Sequence, residues 1–303
     1  MPRILLTGAT GFIGRHCIEP LTARGWEVVA VTSRPVGELP DRAGVFWHQA
    51  DLLDPSTPAE LIAKTKPEAM LHLAWHLVAG SVENYRWTRA SLQLAMEFAE
   101  RGGRRAVLAG SCAEYDWTAA QPLTEDSVRR PATPYGLCKN ALGDLLESYR
   151  KEIGLSAAWA RVFFVYGPGE AHNRLVASIV RSLLAGRPAQ TTHGKQLRDY
   201  LFVGDLADAL AALVGSPLAG AINVASGRTV RLEDLVREIA RQLGRDELLR
   251  FGAIEAHPEE APEVSADVTR LVDELGWQPR FDHAEGLAQT IAWWRESSEQ
   301  VTA

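Results

Sequence analysis

Two residues that could exchange protons with a substrate, Tyr135 and Lys139, stand four positions apart in the run Tyr135-Gly136-Leu137-Cys138-Lys139. On a helix this spacing places both side chains on the same face. A free phenol has a pKa of about 10, and a neighbouring ammonium favours the phenolate, so the pair could act as acid and base near neutral pH. For this pair alone, an exposed helical tyrosine and lysine would be a sufficient explanation.

Ser111 is a third residue of this kind. It follows an apolar run at residues 106–109, which predicts a buried strand, and so lies at the carboxyl edge of a sheet, where open α/β folds bind ligands. Its hydroxyl could orient a carbonyl or alcohol oxygen for the tyrosine, and acid–base transfer of this kind contributes roughly 10²- to 10⁴-fold in rate. We predict Ser111, Tyr135 and Lys139 as catalytic residues, against the alternative that Ser111 only caps its strand.

A glycine-rich turn, Thr7-Gly8-Ala9-Thr10-Gly11-Phe12-Ile13-Gly14, lies between a predicted strand and a predicted helix. This context is typical of a turn that binds a dinucleotide pyrophosphate at a helix N-terminus. Gly8 permits the tight turn, Gly11 lets the backbone approach the pyrophosphate, and Gly14 allows the helix to pack on the sheet. An ordinary βα turn is the alternative. The residues expected to bind the cofactor here are Gly8, Thr10, Gly11, Phe12, Ile13 and Gly14.

The end of the second predicted strand indicates which dinucleotide binds. Ser33 and Arg34 stand where proteins that prefer NAD often carry an acidic residue for the ribose hydroxyls. A guanidinium and a hydroxyl suit a 2′-phosphate, so we expect NADP(H) to be preferred, with NAD(H) as the other candidate. Asp51 and Leu52, just after the next strand, are placed to contact the adenine, although Asp51 could equally cap a turn.

The pattern of apolar residues predicts the elements that position these groups. Short β-branched runs alternate with longer amphipathic runs through the first half of the chain, which indicates βαβ units on a parallel sheet. We predict an α/β fold: a Rossmann-type doubly wound parallel sheet with a smaller C-terminal substrate-binding lobe. The dinucleotide-binding domain is expected at residues 1–166, with 195–225 returning to it, and the lobe at 167–194 and 226–303. Single elements include a strand over residues 157–165 and helices over 205–213 and 268–275.

Composition narrows the class of protein. The chain has 303 residues, 46% of them hydrophobic, and can bury a substantial core. Its formal charge of −6 comes from interspersed acidic and basic residues, which argues against a nucleic-acid partner. Because no run reaches the roughly 18 apolar residues of a membrane helix and no signal peptide is recognised, we expect a cytoplasmic protein without a membrane partner. Cys17, Cys112 and Cys138 lack metal-ligand spacing, so no metal is expected.

These motifs together resemble the extended short-chain dehydrogenase/reductase family, which includes UDP-galactose 4-epimerase, nucleotide-sugar 4,6-dehydratases and sugar 4-ketoreductases. Three further stretches carry the resemblance, which covers nearly the whole chain: residues 71–74, 161–168 and 198–205. The resemblance implies that Leu73 and Ala74 lie beside the cofactor, together with Tyr135 and Lys139. It also implies a nucleotide-diphosphate sugar substrate and a homodimer.

In the family, the first arginine of the third stretch binds the substrate diphosphate, and Arg198 inherits that role because a bidentate guanidinium suits phosphate. Asn173 and Arg174, at the start of the first helix of the second lobe, are expected to join it in binding the substrate. A helix cap and a solvated arginine are the alternative interpretation of those two residues.

The segment after Ser111 distinguishes the subclasses. In 4,6-dehydratases an aspartate and a glutamate follow the catalytic hydroxyl, and the resemblance aligns those positions with Cys112 and Ala113, which argues against dehydration. A register shifted by one residue would bring in Glu114 instead. Trp87 occupies a position where relatives often have asparagine.

Two enzymatic interpretations therefore remain open. A 4-ketoreductase that uses NADPH on a 4-keto-6-deoxy nucleotide sugar is favoured by Arg34. An NAD-dependent nucleotide-sugar epimerase is the alternative. A catalytically silent, NADP-sensing regulatory protein is the third hypothesis, against which the presence of Ser111, Tyr135 and Lys139 argues.

Overall fold

The structure, a computed structural model, describes residues 1–302. Its strands are β1 (Arg3–Thr7), β2 (Glu27–Thr32), β3 (Val45–Gln49), β4 (Ala69–His72), β5 (Arg105–Ser111), β6 (Ser156–Val162), β7 (Phe164–Tyr166), β8 (Ala189–Gln190), β9 (Leu197–Phe202), β10 (Gly220–Val224), β11 (Thr229–Arg231), β12 (Leu249–Arg250) and β13 (Glu263–Val264). Its helices are α1 (Gly14–Ala23), α2 (Thr57–Thr65), α3 (Glu83–Glu100), α4 (Pro134–Ile153), α5 (Leu175–Leu184), α6 (Val203–Val214), α7 (Leu232–Leu243) and α8 (His283–Thr302).

A seven-stranded sheet forms the centre of the molecule, with the strand order β10-β6-β5-β4-β1-β2-β3. Every neighbouring pair in it is parallel. The order reverses between β1 and β4, and in such sheets ligands bind in the crevice outside the carboxyl ends of the strands at this reversal. The predicted Rossmann-type doubly wound sheet is confirmed.

Helices cover both faces of this sheet because its central strands are apolar on both sides. Helices α1 and α6 pack on one face, against a core that includes Ile4, Leu6 and Val107. Helices α2, α3 and α4 cover the other face, against a core that includes Leu5 and Met70. Two buried faces are what near-continuous apolar strands require.

The run predicted as one strand over residues 157–165 is two strands in different sheets. Strand β6 belongs to the central sheet, whereas β7 pairs with β9 in a small sheet that also contains β11 and β13. Phe163 alone separates them, and its N–H donates to the carbonyl oxygen of Val224 at 3.2 Å. The apolar pattern could not reveal the break because both strands are largely apolar.

The small sheet and helices α5, α7 and α8 form the second lobe around a separate apolar core. Of the segment expected to return to the first domain, 195–225, α6 and β10 lie in the central layers and β9 lies in the small sheet. The division into domains itself stays a prediction. The helix predicted over residues 205–213 begins at Val203, and the segment 268–275 contains a π-helical turn at Arg270–Glu274.

Among residues 1–302 no helix combines the length and the apolar character needed to cross a membrane. The same part of the chain contains no group of three or more His, Cys, Asp or Glu side chains able to hold a metal ion. The three cysteines are free and buried.

The turn between β1 and α1 is closed by backbone contacts that leave no room for side chains. Gly8 has a φ of 68°, and the N–H of Gly11 donates to its carbonyl oxygen at 2.8 Å. A Cβ atom on Gly14 would lie 2.1 Å from the same oxygen. The first turn of α1 therefore packs directly onto the backbone of the glycine turn, whereas the sequence predicts close packing of the helix on the sheet.

We expect Gly14→Ala to lower the free energy of unfolding by about 1–3 kcal/mol, because the backbone must move to accept the methyl group. Thermal unfolding should show a melting temperature lower by about 3–10 °C. Gly37→Ala is the matched control, since an added Cβ there meets no described atom within 4 Å. Equal melting temperatures for Gly14→Ala and Gly37→Ala would contradict the tight packing of Gly14 against Gly8.

Candidate active site

Ser111 is the last residue of β5 and caps the short 3-10 turn Cys112–Glu114. Its Oγ accepts a hydrogen bond from the N–H of Ala113 at 3.2 Å, and its own N–H donates to Glu114 Oε1 at 2.7 Å. This reciprocal capping fixes both the backbone and the side chain of Ser111. The serine both caps its strand, as the alternative interpretation held, and presents its hydroxyl at the carboxyl edge.

Helix α4 brings Tyr135 to this serine. The helix begins at Pro134 after a Thr133 cap, whose Oγ1 accepts from the N–H of Gly136 at 3.1 Å. A Cβ atom on Gly136 would lie 2.2 Å from the carbonyl oxygen of Ala113, so only glycine allows the helix to start so close to the Ser111 turn. The hydroxyls of Tyr135 and Ser111 are hydrogen bonded as a result.

The Tyr135 phenol is protonated at neutral pH in this environment. Burial raises its pKa to about 12, while the hydrogen bond from Ser111 opposes the rise, as does the positive charge of Arg174. A phenol in this state is a proton donor. A further positive charge beside it would be needed for it to act as a base.

Lys139 lies one helical turn after Tyr135 and is buried. Its Nζ donates to the carbonyl oxygen of Ala109 at 2.7 Å, and it lies 3.7 Å from the centroid of the Trp75 ring. Burial lowers its pKa to about 7, and the negative charge of Glu114 opposes that shift. The structure thus gathers Ser111, Tyr135 and Lys139 at one edge of the sheet.

Glu114, the acid that a shifted register would bring to the substrate, is instead turned into the protein. It is fully buried, and its Oε2 accepts from Arg161 Nε at 2.8 Å. Trp159 Nε1 lies 3.0 Å from both of its carboxylate oxygens. A carboxylate held by this many donors inside the core is not available to transfer protons to a ligand.

The cofactor edge between β1 and β4 is fixed by a chain of side chains that the sequence did not reveal. Thr7 Oγ1 lies 2.7 Å from His72 Nδ1 and accepts from the N–H groups of Leu73 and Ala74 at 3.1 and 3.2 Å. His72 Nε2 lies 2.8 Å from Ser91 Oγ. Burial lowers the pKa of His72 to about 3, so the imidazole stays neutral. The chain holds the end of β4 against the glycine turn.

The end of β2 is tied to the glycine turn through two threonines. Thr10 Oγ1 lies 2.9 Å from Thr32 Oγ1, which also accepts from the N–H of Arg34 at 3.1 Å. Ser33 and Arg34 are exposed there, and no carboxylate within the described residues forms an ion pair with Arg34. This placement leaves both side chains able to meet an anion.

Arg15 adds a second guanidinium that the sequence analysis missed. Its Nε and Nη2 donate to the carbonyl oxygens of Gly11 and Thr10 at 3.1 and 3.0 Å. Burial lowers its pKa, and the positive charge of Arg34 lowers it further, so the two cations lie close enough to repel. Its position in the first turn after the glycine turn is the signal that could have identified it.

The remaining cofactor candidates have local structural partners. Asp51 Oδ1 accepts from the N–H of Leu53 at 3.0 Å, which is the turn cap that the sequence left open, and Leu52 is buried in the core. Phe12 and Ile13 are partly buried and pack against the core of the second lobe. Their roles toward a cofactor stay predictions.

Arg198 lies in β9 and is 3% exposed. Its Nη2 donates to Glu260 Oε1 at 3.1 Å and to the carbonyl oxygen of Ala261 at 2.8 Å. Asn173 and Arg174 are exposed before α5. Because Arg174 opposes the raised pKa of Tyr135, its positive charge lies close to the Tyr135 phenol.

Glu170 is a buried acid that the sequence did not single out. The N–H of Ala177 donates to its carboxylate, whereas its Oε2 has no hydrogen-bond partner among the described residues. Burial raises its pKa to about 8, against the opposing effects of the Ala177 N–H and the charge of Arg174. Glu170 therefore carries a proton near neutral pH.

Comparisons with known proteins agree with this geometry. Residues 4–225 match the model of the NAD dependent epimerase/dehydratase family. The chain is 32% identical to a UDP-glucose 4-epimerase of Mycolicibacterium smegmatis, with 98% of this chain and 100% of that protein covered. It is 25% identical to a dTDP-glucose 4,6-dehydratase of Xanthomonas campestris, with 96% and 92% covered.

A solved structure shares the fold over the same extent. The UDP-glucose 4-epimerase of Thermus thermophilus, in complex with NAD, superposes with a TM-score of 0.86 at 26% sequence identity. The superposition covers 97% of this chain and 99% of that one.

We expect the stability of the protein to fall as pH rises between about 4.5 and 8 because of Glu170. The folded state keeps a proton that the unfolded state releases above its ordinary pKa of 4.5, and the state that binds more protons is disfavoured by rising pH. Glu170→Gln removes this titration. Relative to that variant, wild type should lose up to about 1.4 kcal/mol per pH unit in this window.

Urea unfolding at pH values from 5 to 9 measures this difference. The exposed Glu152 provides the control, because Glu152→Gln should follow the wild-type pH dependence. If the free energy of unfolding varies with pH in the same way for wild type and Glu170→Gln, the Glu170 carboxyl group does not carry a proton in the folded state.

Proposed function

The chain belongs to the NAD dependent epimerase/dehydratase family, the extended short-chain dehydrogenase/reductase group that its motifs resemble, and from this premise we propose that it is a nucleotide-sugar 4-epimerase. One observation carries the proposal: Ser111, Tyr135 and Lys139 converge, and residues 112–114 add no acid or base to them. Ala113 has no titratable group, burial raises the pKa of the Cys112 thiol to about 12, and Glu114 is engaged by Arg161. Epimerisation needs one proton-transfer group, whereas dehydration needs a further acid and base.

The protein's own part in the reaction follows from the contacts of these residues. Tyr135 takes the proton of the sugar hydroxyl at the reacting carbon and later returns it, while Ser111 hydrogen-bonds the same oxygen. The positive ring of an oxidised nicotinamide, when bound, would provide the further charge that favours the phenolate, together with the Lys139 ammonium. When bound, a nicotinamide dinucleotide would supply the hydride acceptor and donor at the reacting carbon, beside Tyr135 and Ser111.

The glycine turn fits a dinucleotide. Gly11 is exposed at the N-terminal end of α1, and within the described residues the atoms near a Cβ built on it all belong to Gly8, so its outer face is open for a pyrophosphate. Leu73 and Ala74 border the turn, since a Cβ on Gly8 would lie 2.9 Å from Ala74 N. Lys139 is the proposed contact to the nicotinamide ribose. The proposed adenine contacts are Asp51 and Leu52.

We place the substrate diphosphate beside Arg198, with Arg174 and Asn173 at the same cleft. Arg198 is already paired with Glu260, so a diphosphate would share this arginine with the carboxylate. Arg174 is exposed and brings a second positive charge close to Tyr135. The M. smegmatis and T. thermophilus relatives, both described as UDP-glucose 4-epimerases, support a nucleotide sugar as the substrate.

A 4-ketoreductase that consumes NADPH is the second candidate. Arg34 in the sequence favours the reductase over the epimerase. The similarity to UDP-glucose 4-epimerases favours the epimerase over the reductase. The observation that supports the reductase is the pair of guanidiniums at Arg34 and Arg15, next to the Ser33 hydroxyl, which suits a 2′-phosphate. Both candidates use the same Ser111, Tyr135 and Lys139.

A homodimer and a cytoplasmic location are also part of the proposal. Helices α3 and α4 pack side by side and carry exposed apolar side chains, which supports a second copy on this surface. These side chains are Tyr85, Met96, Leu137 and Leu145.

Identification of the dinucleotide in the purified protein, followed by two assays, separates the candidates. An epimerase should interconvert UDP-glucose and UDP-galactose with bound NAD and no net change in absorbance at the nicotinamide band. A reductase should instead oxidise added NADPH in step with a 4-keto-6-deoxy nucleotide sugar. Stoichiometric NADPH consumption without interconversion would overturn the epimerase.

Tyr135→Phe should lower kcat by about 10²-fold or more in the productive assay, because only the proton-transfer group is lost. The affinity for the dinucleotide should change by no more than a few fold, since the ring is retained. Tyr149→Phe on the same helix is the control. Near-normal turnover of Tyr135→Phe would remove Tyr135 from the mechanism.

Arg34→Ala should weaken NADP binding by about 10- to 150-fold and leave NAD binding almost unchanged, because only NADP has a 2′-phosphate to lose the charge-assisted hydrogen bonds. Titration of both dinucleotides measures the ratio, with Arg42→Ala as an exposed control. Equal weakening of NAD and NADP would place Arg34 at the pyrophosphate or outside the site.

A further inference from the structure

Trp75 lies against two of the three proposed catalytic residues, Tyr135 and Lys139. It follows β4 by three residues, and its ring centroid is 3.7 Å from Lys139 Nζ. The same ring meets Tyr135 nearly edge-on, with centroids 6.5 Å apart and an interplanar angle of 83°. The indole is partly buried. It therefore forms one wall of the space around the Lys139 ammonium.

The orientation of this indole is fixed by a buried asparagine. Trp75 Nε1 donates to Asn84 Oδ1 at 2.9 Å, and Asn84 is fully buried at the start of α3. Asn84 Nδ2 donates to the carbonyl oxygens of Val78 and Ser81, each at 2.9 Å. In the loop between Trp75 and Asn84, the carbonyl oxygen of Ala79 accepts a hydrogen bond from the backbone N–H of Tyr135 at 3.0 Å. One loop thus positions both Trp75 and the start of α4.

The groups that face the Lys139 ammonium include few compensating charges. Its Nζ has one hydrogen bond among the described residues, to Ala109 O, and the carboxylate that opposes its lowered pKa is Glu114, which Arg161 already neutralises. His72 is neutral, and the Trp159 ring centroid is 5.8 Å away. Within residues 1–302, the two electron-rich groups close to this cation are therefore the carbonyl oxygen of Ala109, at 2.7 Å, and the face of the Trp75 ring, at 3.7 Å from its centroid. Such a contact is strongest when the cation is desolvated.

We propose that Trp75 is a positioning residue of the reaction, whose indole face holds the Lys139 ammonium charged at the carboxyl edge of β5 and whose edge sets the Tyr135 ring. The proposal rests on the proposed function in one respect, namely that Lys139 serves a nicotinamide dinucleotide. Its consequence is measurable without turnover. Dinucleotide affinity should depend on the charge of Lys139 and hence on pH.

The experiment measures NAD and NADP affinity between pH 5.5 and 9. Wild-type affinity should decline as pH rises through about 7, because the ammonium loses its proton. In Trp75→Leu the midpoint of this decline should move down by about 0.5–1.5 pH units, and Trp75→Phe should restore part of the shift. Trp87→Leu is the matched control, since Trp87 packs against the same apolar core from α3.

Incorporation of 5-fluorotryptophan covers the case in which Trp75→Leu does not fold. Fluorine withdraws electron density from the ring without changing its packing much. The midpoint of the pH-dependent decline in affinity should therefore be lower in fluorinated than in unlabelled wild type. Fluorinated and unlabelled Trp75→Phe should have the same midpoint. A common midpoint for wild type, its fluorinated form and the Trp75 variants would overturn the positioning role. Failure of wild type to bind either dinucleotide would instead overturn the proposed function.

Discussion

The buried ion pair between Glu114 and Arg161 is the interaction on which the catalytic edge depends. Both side chains are almost completely removed from water, a state that is tolerated only when every charge is paired and every remaining donor is satisfied. Arg161 meets this condition by also donating to Tyr115 Oη and to the carbonyl oxygen of Glu125. Tyr115 in turn donates to Asn223 in β10 at 2.6 Å. The network joins β5, β6 and β10 beneath Ser111.

This network also limits the chemistry of the site. Glu114 lies three residues after Ser111, yet its carboxylate is committed to Arg161, Trp159 and the N–H of Ser111. The side chains that then converge at this edge provide two hydroxyls and one ammonium. A site built in this way favours reactions in which a proton and a hydride leave and return at one carbon. A site that eliminates water would need an acid and a base turned outward.

The sequence predicts the local parts of this arrangement well. Alternating runs and the glycine turn predict the sheet, and the family order of motifs brings Ser111, Tyr135 and Lys139 together as the structure does. It could not predict contacts between distant positions: Glu114 with Arg161, Trp75 with Lys139, or Arg198 with Glu260. These pairs depend on tertiary packing, which leaves no period in the sequence. The break at Phe163 was missed for a related reason, because apolar strands look alike whichever sheet they join.

The same break has a mechanical consequence. Only Phe163 lies between β6 and β7, so the connection between the central sheet and the small sheet is too short to act as a hinge. The N–H of Phe163 is also hydrogen bonded to Val224 in β10. Arg198 lies on β9, which pairs with β7, so its strand is tied through this one-residue connection to β6 of the central sheet. Ser111 and Arg198 are therefore held on two directly connected sheets, an arrangement that would restrict the length of any ligand that had to reach both side chains.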